Sequence, residues 1–156
     1  MKGAVACTGL ALTLALVNGA CVDINGGAVE VPWIVFARDG RGAINDCACA
    51  APVIESVRLK LSPAGANTTA ADPCDGVGAC VFACGRKTGA TPFMVPPGDY
   101  LMSIEPLGTD GLVIPDDTVP APVLRRVVKG APTELDAFEI QAPCGCHGDD
   151  VQVPCA

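Results

Sequence analysis

Histidine occurs once in these 156 residues, at position 147, and serine only three times, as Ser56, Ser62 and Ser103. An H-E-x-x-H zinc site needs a second imidazole that the chain lacks, a Ser-His-Asp triad would have His147 alone as its base, and no serine stands in a G-x-S-x-G turn. Charge is also scarce, at 17% of residues, and its balance is acidic: Lys plus Arg number 10 against 17 Asp plus Glu, a net charge of -7. A nucleic-acid partner is therefore not expected, because no basic surface is available to neutralise a phosphate backbone. Aromatics make up 4%. Helix signals are poor as well: Pro and Gly interrupt nearly every window after residue 20, and no stretch of twelve residues sustains i, i+3, i+4 apolar spacing.

Hydrophobic residues, by contrast, reach 50%, with 18 Gly, 14 Pro and 10 Cys and a mean hydropathy of +0.42. A chain this apolar and this weakly charged folds, and its length suits one domain.

The first twenty residues read as an address. Met1-Lys2 is a short positive start, Gly3 to Val17 is uncharged and apolar, and Asn18-Gly19-Ala20-Cys21 follows. This is the pattern of a secretory signal peptide, residues 1–20. Its Thr8, Thr13, Asn18 and glycines leave it short of the roughly 20 strongly apolar residues of a membrane span. The Ala20-Cys21 junction resembles a bacterial lipobox, with Asn18 where a branched aliphatic residue usually stands. That resemblance implies lipidation at Cys21, a membrane anchored through it and, with Val22 next, an outer-membrane or surface position in the cell envelope; the alternative is plain secretion. Residues 21–27, ending in Asn25-Gly26-Gly27, read as a linker, and residues 28–156 as the domain.

Setting aside Cys7 with the signal peptide and Cys21 with its lipid, the remaining cysteines are Cys47, Cys49, Cys74, Cys80, Cys84, Cys144, Cys146 and Cys155. An even set in an exported chain reads as disulfides, with 105 conceivable pairings. The i, i+2 pairs Cys47/Cys49 and Cys144/Cys146 lie awkwardly for bonding within each pair, so each sulfur is expected to reach another segment. The Cys47/Cys49 pair is assigned to Cys80 or Cys84. On an extended strand Cys80, Phe82 and Cys84 would share one face, about 13 Å end to end, too far for mutual bonding. Cys144, Cys146, His147 and Cys155 offer four soft zinc ligands, a reading that export disfavours. C-x-C-H is one residue short of a haem attachment motif, and C-x-C and C-x-x-x-C do not suit a thiol-disulfide oxidoreductase. Neither a metal nor a cofactor is expected.

Between Gly/Pro turns the body reads as short strands. Val29, Val31, Trp33 and Val35 alternate onto one face, with Pro32 suggesting an edge or first strand. In Val53 to Leu61, Val57, Leu59 and Leu61 point inward and Arg58 and Lys60 outward. Strands are further expected at Cys80 to Cys84, near Thr91 to Val95, at Tyr100 to Ile104, from Leu112 to Ile114, at Val123 to Val128 and at Thr133 to Gln141. The expected fold class is an all-β antiparallel sandwich of about seven strands with disulfides.

The run Val95-Pro96-Pro97-Gly98-Asp99-Tyr100, followed by an alternating strand, resembles the turn of prealbumin-like and carboxypeptidase-regulatory-like modules, which implies an immunoglobulin-like fold. With its cysteine after the apolar leader and its Trp-bearing first strand, the whole chain is similar to Cys-rich bacterial lipoproteins.

Residues that could carry other chemistry have simpler explanations. Asp116-Asp117 and Asp149-Asp150 read as solvated turn charges rather than glycosidase carboxylates. The Asp-Gly steps at 39, 75 and 110 read as turns rather than calcium loops. Asn67-Thr68-Thr69 fits a glycosylation triplet that matters only in a eukaryotic secretory pathway. Trp33 and Tyr100 fall on inward faces, which favours core packing over sugar stacking. The expected function is non-enzymatic: an envelope lipoprotein or secreted protein with a structural role or a protein or glycan partner. The alternative is a carbohydrate- or ligand-binding module using loops at one end of the sandwich.

Overall fold

A computed structural model describes residues 24–38, 40, 42–44, 46–50, 52–65, 71–76, 79–115 and 119–142. The expectations for the leader, Cys21, Cys144, Cys146, His147, Cys155, Asp39, Asp116-Asp117, Asp149-Asp150 and Asn67-Thr68-Thr69 lie outside them. The described residues form an all-β sandwich of nine strands: β1 Ala28–Ala37, β2 Gly42–Ile44, β3 Ser56–Pro63, β4 Val81–Ala83, β5 Thr88–Ala90, β6 Gly98–Leu107, β7 Val123–Val127, β8 Pro132–Glu134 and β9 Phe138–Ala142.

One sheet is antiparallel with the order β4-β3-β6-β7, the chain crossing from β4 through the other sheet before it returns beside β3, and the other sheet is built around β1. Strict alternation drives both. In β1 Val29, Val31, Trp33 and Val35 are at most 1% exposed, and in β3 Val57, Leu59 and Leu61 are fully buried. Against them β6 sets Tyr100, Met102 and Ile104, and β9 sets Phe138 and Ile140, so the core is the space between the sheets. Each such side chain contributes about 1.5–3 kcal/mol by leaving water. Outside, Arg58 of β3 stands directly across from Glu105 of β6 and pairs with it through two nitrogens.

The β1 sheet departs from the antiparallel expectation. β2 and β5 run antiparallel to β1, while β8 and β9 run parallel to it. After β7 the chain turns through Gly130, at φ 75°. The Ala28 N–H donates to the Ala131 carbonyl and the Gly130 N–H to that of Gly26. The chain thus reaches the start of β1 already pointing along it. The single strand expected at Thr133 to Gln141 is two, β8 and β9, with Leu135 to Ala137 between them.

That gap explains Pro32, which lies in a central strand rather than an edge strand. Trp33 N–H donates to Lys87 O and Thr91 N–H to Val29 O, so the odd residues of β1 bond toward β5 and the even ones face β8 and β9. Position 32 lies beyond the register of β8, which ends at Glu30, and before that of β9, which starts at Trp33. The missing proline N–H therefore falls where the neighbouring edge is interrupted.

Three further segments differ from expectation. Cys80 has φ 52°, so β4 is confined to Val81–Ala83, and Cys84 opens a 3-10 turn through Arg86. The strand expected near Thr91 to Val95 lies earlier, as β5. Leu112 to Ile114 forms only an isolated bridge, Leu107 to Val113, closing the Gly108 to Gly111 hairpin.

Two disulfides tie these parts together. Cys47, after β2, bonds Cys84, after β4, one of the two partners expected for the Cys47/Cys49 pair, and so links the two sheets. Cys74 bonds Cys80 across six residues, and Cys49 is disulfide-bonded too.

Candidate functional site

The end of the sandwich where β1 and β6 begin gathers three connections: residues 64–65 after β3, residues 91–97 before β6 and residues 128–131 after β7. The Pro-Pro-Gly-Asp sequence shapes it. Two prolines fix the approach to β6, the Tyr100 hydroxyl donates to the Pro96 carbonyl at 2.9 Å, and the Ala64 N–H donates to the Asp99 carbonyl at 2.8 Å. Burial first, and then the negative charge of Asp72, push the Tyr100 phenol above its ordinary 10.0. This tyrosine is a structural clamp and stays protonated at neutral pH.

The incoming chain belongs to the same end. Gly26 and Gly27, read from sequence as the close of a linker, are buried and hydrogen-bonded to Phe93 O and Val95 O. A Cβ at Gly26 would stand 2.4 Å from Val95 O, and one at Gly27 2.5 Å from Val128 O. Only glycine lets the backbones approach this closely.

A cleft of about 410 Å³ opens here, lined by Ala64, Gly65, Pro97, Gly98, Asp99, Arg126, Val127, Val128 and Lys129. Its charged groups are Arg126, Lys129 and Asp99. Arg126 Nε lies 3.8 Å from Asp99 Oδ1, with both side chains largely in solvent, so this pair contributes under about 1 kcal/mol and leaves the guanidinium available to an anion. Beside the cleft, a smaller apolar cavity of about 230 Å³ is lined by Pro73, Cys74, Ala79, Cys80, Thr91, Pro92, Met94 and Val95.

Of the residues singled out from sequence, Trp33 and Tyr100 are buried at 1% and 5% exposure, which removes them from any sugar-stacking surface. Asp110 accepts from Leu112 N–H at 3.0 Å as a turn residue. The three serines lie on separate strand positions, Ser56 and Ser62 on β3 and Ser103 on β6. Cys47, Cys74, Cys80 and Cys84 are consumed by the two disulfides. Among the described residues no group of three or more His, Cys, Asp or Glu could hold a metal, and no helix is long and apolar enough to cross a membrane.

Arg126 and Lys129 are absent from the sequence reading. The signal that could have found them is local: Arg125, Arg126 and Lys129 place three of the ten basic residues within five positions. Comparison with protein-family models, with curated proteins and with solved structures finds no match for this chain.

Proposed function

We propose that the chain is a non-enzymatic envelope protein, anchored through a lipid on Cys21 or else secreted, whose sandwich serves a structural or partner-binding role. The observation that carries this reading is the disulfide bonding of a small all-β domain, including the Cys47–Cys84 link between its sheets, in a chain that opens with an export-type leader. Paired sulfurs belong to oxidising compartments. The resemblance of the Pro96-Pro97-Gly98-Asp99-Tyr100 turn to prealbumin-like modules implies an immunoglobulin-like sandwich, the kind of fold this reading needs. Here the tyrosine hydroxyl closes that turn on Pro96.

The test is the intact mass of the protein from its host's membrane fraction, before and after reduction and alkylation. The expected species begins at an acylated Cys21 and takes up eight alkyl groups only after reduction. A soluble chain without the acyl group, bearing those eight sulfurs and in addition the thiol of Cys21, leaves the secreted form. Alkylation of any of the other eight cysteines without reduction overturns the exported, disulfide-bonded reading altogether.

A further inference from the structure

We propose that the end of the sandwich where β1 and β6 begin lies flat on the membrane surface, with exposed apolar side chains in the bilayer interface and cations on lipid phosphates. This rests on the anchor reading and adds to it an orientation and a lipid class. The first described residue, Ile24, stands three residues after Cys21, and three extended residues span only about 10 Å. The chain cannot wander: Gly26 N–H donates to Phe93 O, Gly27 N–H to Val95 O, and Gly26 O accepts from Gly130. An acyl chain on Cys21 therefore brings this end, and no other, against the bilayer.

The surface it brings is suited to that contact. Around Gly26 and Gly27 stand Ile24, 42% exposed, Phe93, 41%, Met94, 67%, and Val128, 53%. Lys129 and Arg126 rim the adjoining cleft, with Asp99 as the only carboxylate among its lining residues. Apolar tips flanked by Lys and Arg are what an anionic bilayer surface binds: the tips enter the headgroup boundary while the cations meet phosphates. In a chain of net charge -7 this cleft carries two cations against one carboxylate. The opposite end is about 30 Å away along the ten residues of β6. It also exposes Leu112, at 68%, but beside Asp110 in the Gly108 to Gly111 turn.

The experiment uses the full mature chain carrying acylated Cys21, reconstituted in vesicles of phosphatidylglycerol and brominated phosphatidylcholine, as the variants Met94→Trp and Leu112→Trp. Trp33 is in the core and contributes equally to both. The expected result is a blue-shifted emission from the Met94→Trp protein, quenched at least several-fold more strongly than that of Leu112→Trp. Equal emission from the two, in protein whose mass shows the acyl group, overturns the orientation while the anchor stands. If the mass shows no acyl group, the anchor reading fails, and the unacylated chain is mixed with the same vesicles. Selective quenching of Met94→Trp that is lost on adding Lys129→Glu then upholds the surface, and its absence overturns it.

Discussion

The indole Nε1–H of Trp33 donates to the carbonyl oxygen of Cys84 at 3.0 Å, and the same Cys84 is bonded through sulfur to Cys47. One residue therefore receives both the central strand of one sheet and the segment following β2, while its own N–H donates to Glu55 O at the approach to β3. The Trp33 ring also stacks against Phe82 of β4, with centroids 6.4 Å apart. This junction joins the two sheets by a covalent bond, a buried hydrogen bond and an aromatic contact at once.

Replacing Trp33 with Phe keeps a ring in the core but deletes the donor, leaving the Cys84 carbonyl unsatisfied in a buried site. The expected cost is about 2–4 kcal/mol, from the orphaned acceptor and the space the smaller ring leaves. Urea unfolding at constant m-value measures it; a loss under 1 kcal/mol would show that the hydrogen bond contributes little.

The two mapped disulfides differ in the loop they close, 37 residues of separation for Cys47–Cys84 and 6 for Cys74–Cys80. Loop-closure entropy gives about 4 and about 2 kcal/mol respectively. Cys80 further holds φ 52°, a left-handed backbone that costs a non-glycine residue about 1 kcal/mol or more. Paired Cys→Ala substitutions should therefore lower stability much more at Cys47/Cys84 than at Cys74/Cys80. The order of their denaturation midpoints checks this, and peptide mapping without reduction should show both cross-links together with a further one carrying Cys49.

Tyr100 is the only tyrosine, so its titration can be followed by absorbance without ambiguity. Its phenol is raised by burial and by Asp72, which means the folded protein holds the proton above pH 10 while the unfolded chain releases it. With more protons bound in the native state, stability falls as pH rises through that window. Tyr100→Phe should lose about 1 kcal/mol at neutral pH, from the bond to Pro96 O, and should show a shallower alkaline decline. An unchanged alkaline slope in the variant would assign the decline to other groups.

Gly89 in β5 has the Phe82 ring where a side chain would begin: a Cβ there would stand 2.2 Å from Cδ2. Gly89→Ala must push Phe82 off Trp33, at an expected cost of about 1–3 kcal/mol. Near-UV circular dichroism should lose part of its tryptophan band in this variant. Gly85→Ala, whose Cβ meets nothing within 4 Å, serves as the control and should leave the band intact.

Much of this protein is legible in its residue order because burial in a strand follows a period of two. Val29 to Val35, Val57 to Leu61 and Tyr100 to Ile104 each announce their inward faces, and Pro96-Pro97-Gly98 announces its turn. The same alternation says nothing about which strand lies beside which, or in what direction. That β8 and β9 run parallel to β1, that Pro32 fits the interval between their registers, and that Cys84 rather than Cys80 meets Cys47 were decided only in the tertiary structure. So was the gathering of Ile24, Met94, Val128 and Lys129, from three separate segments, around the point where the chain enters the fold. Local sequence encodes which side chains leave water; the pairing of distant segments depends on how turns such as Gly130 aim the chain, and that is settled only when the sheets close on a shared core.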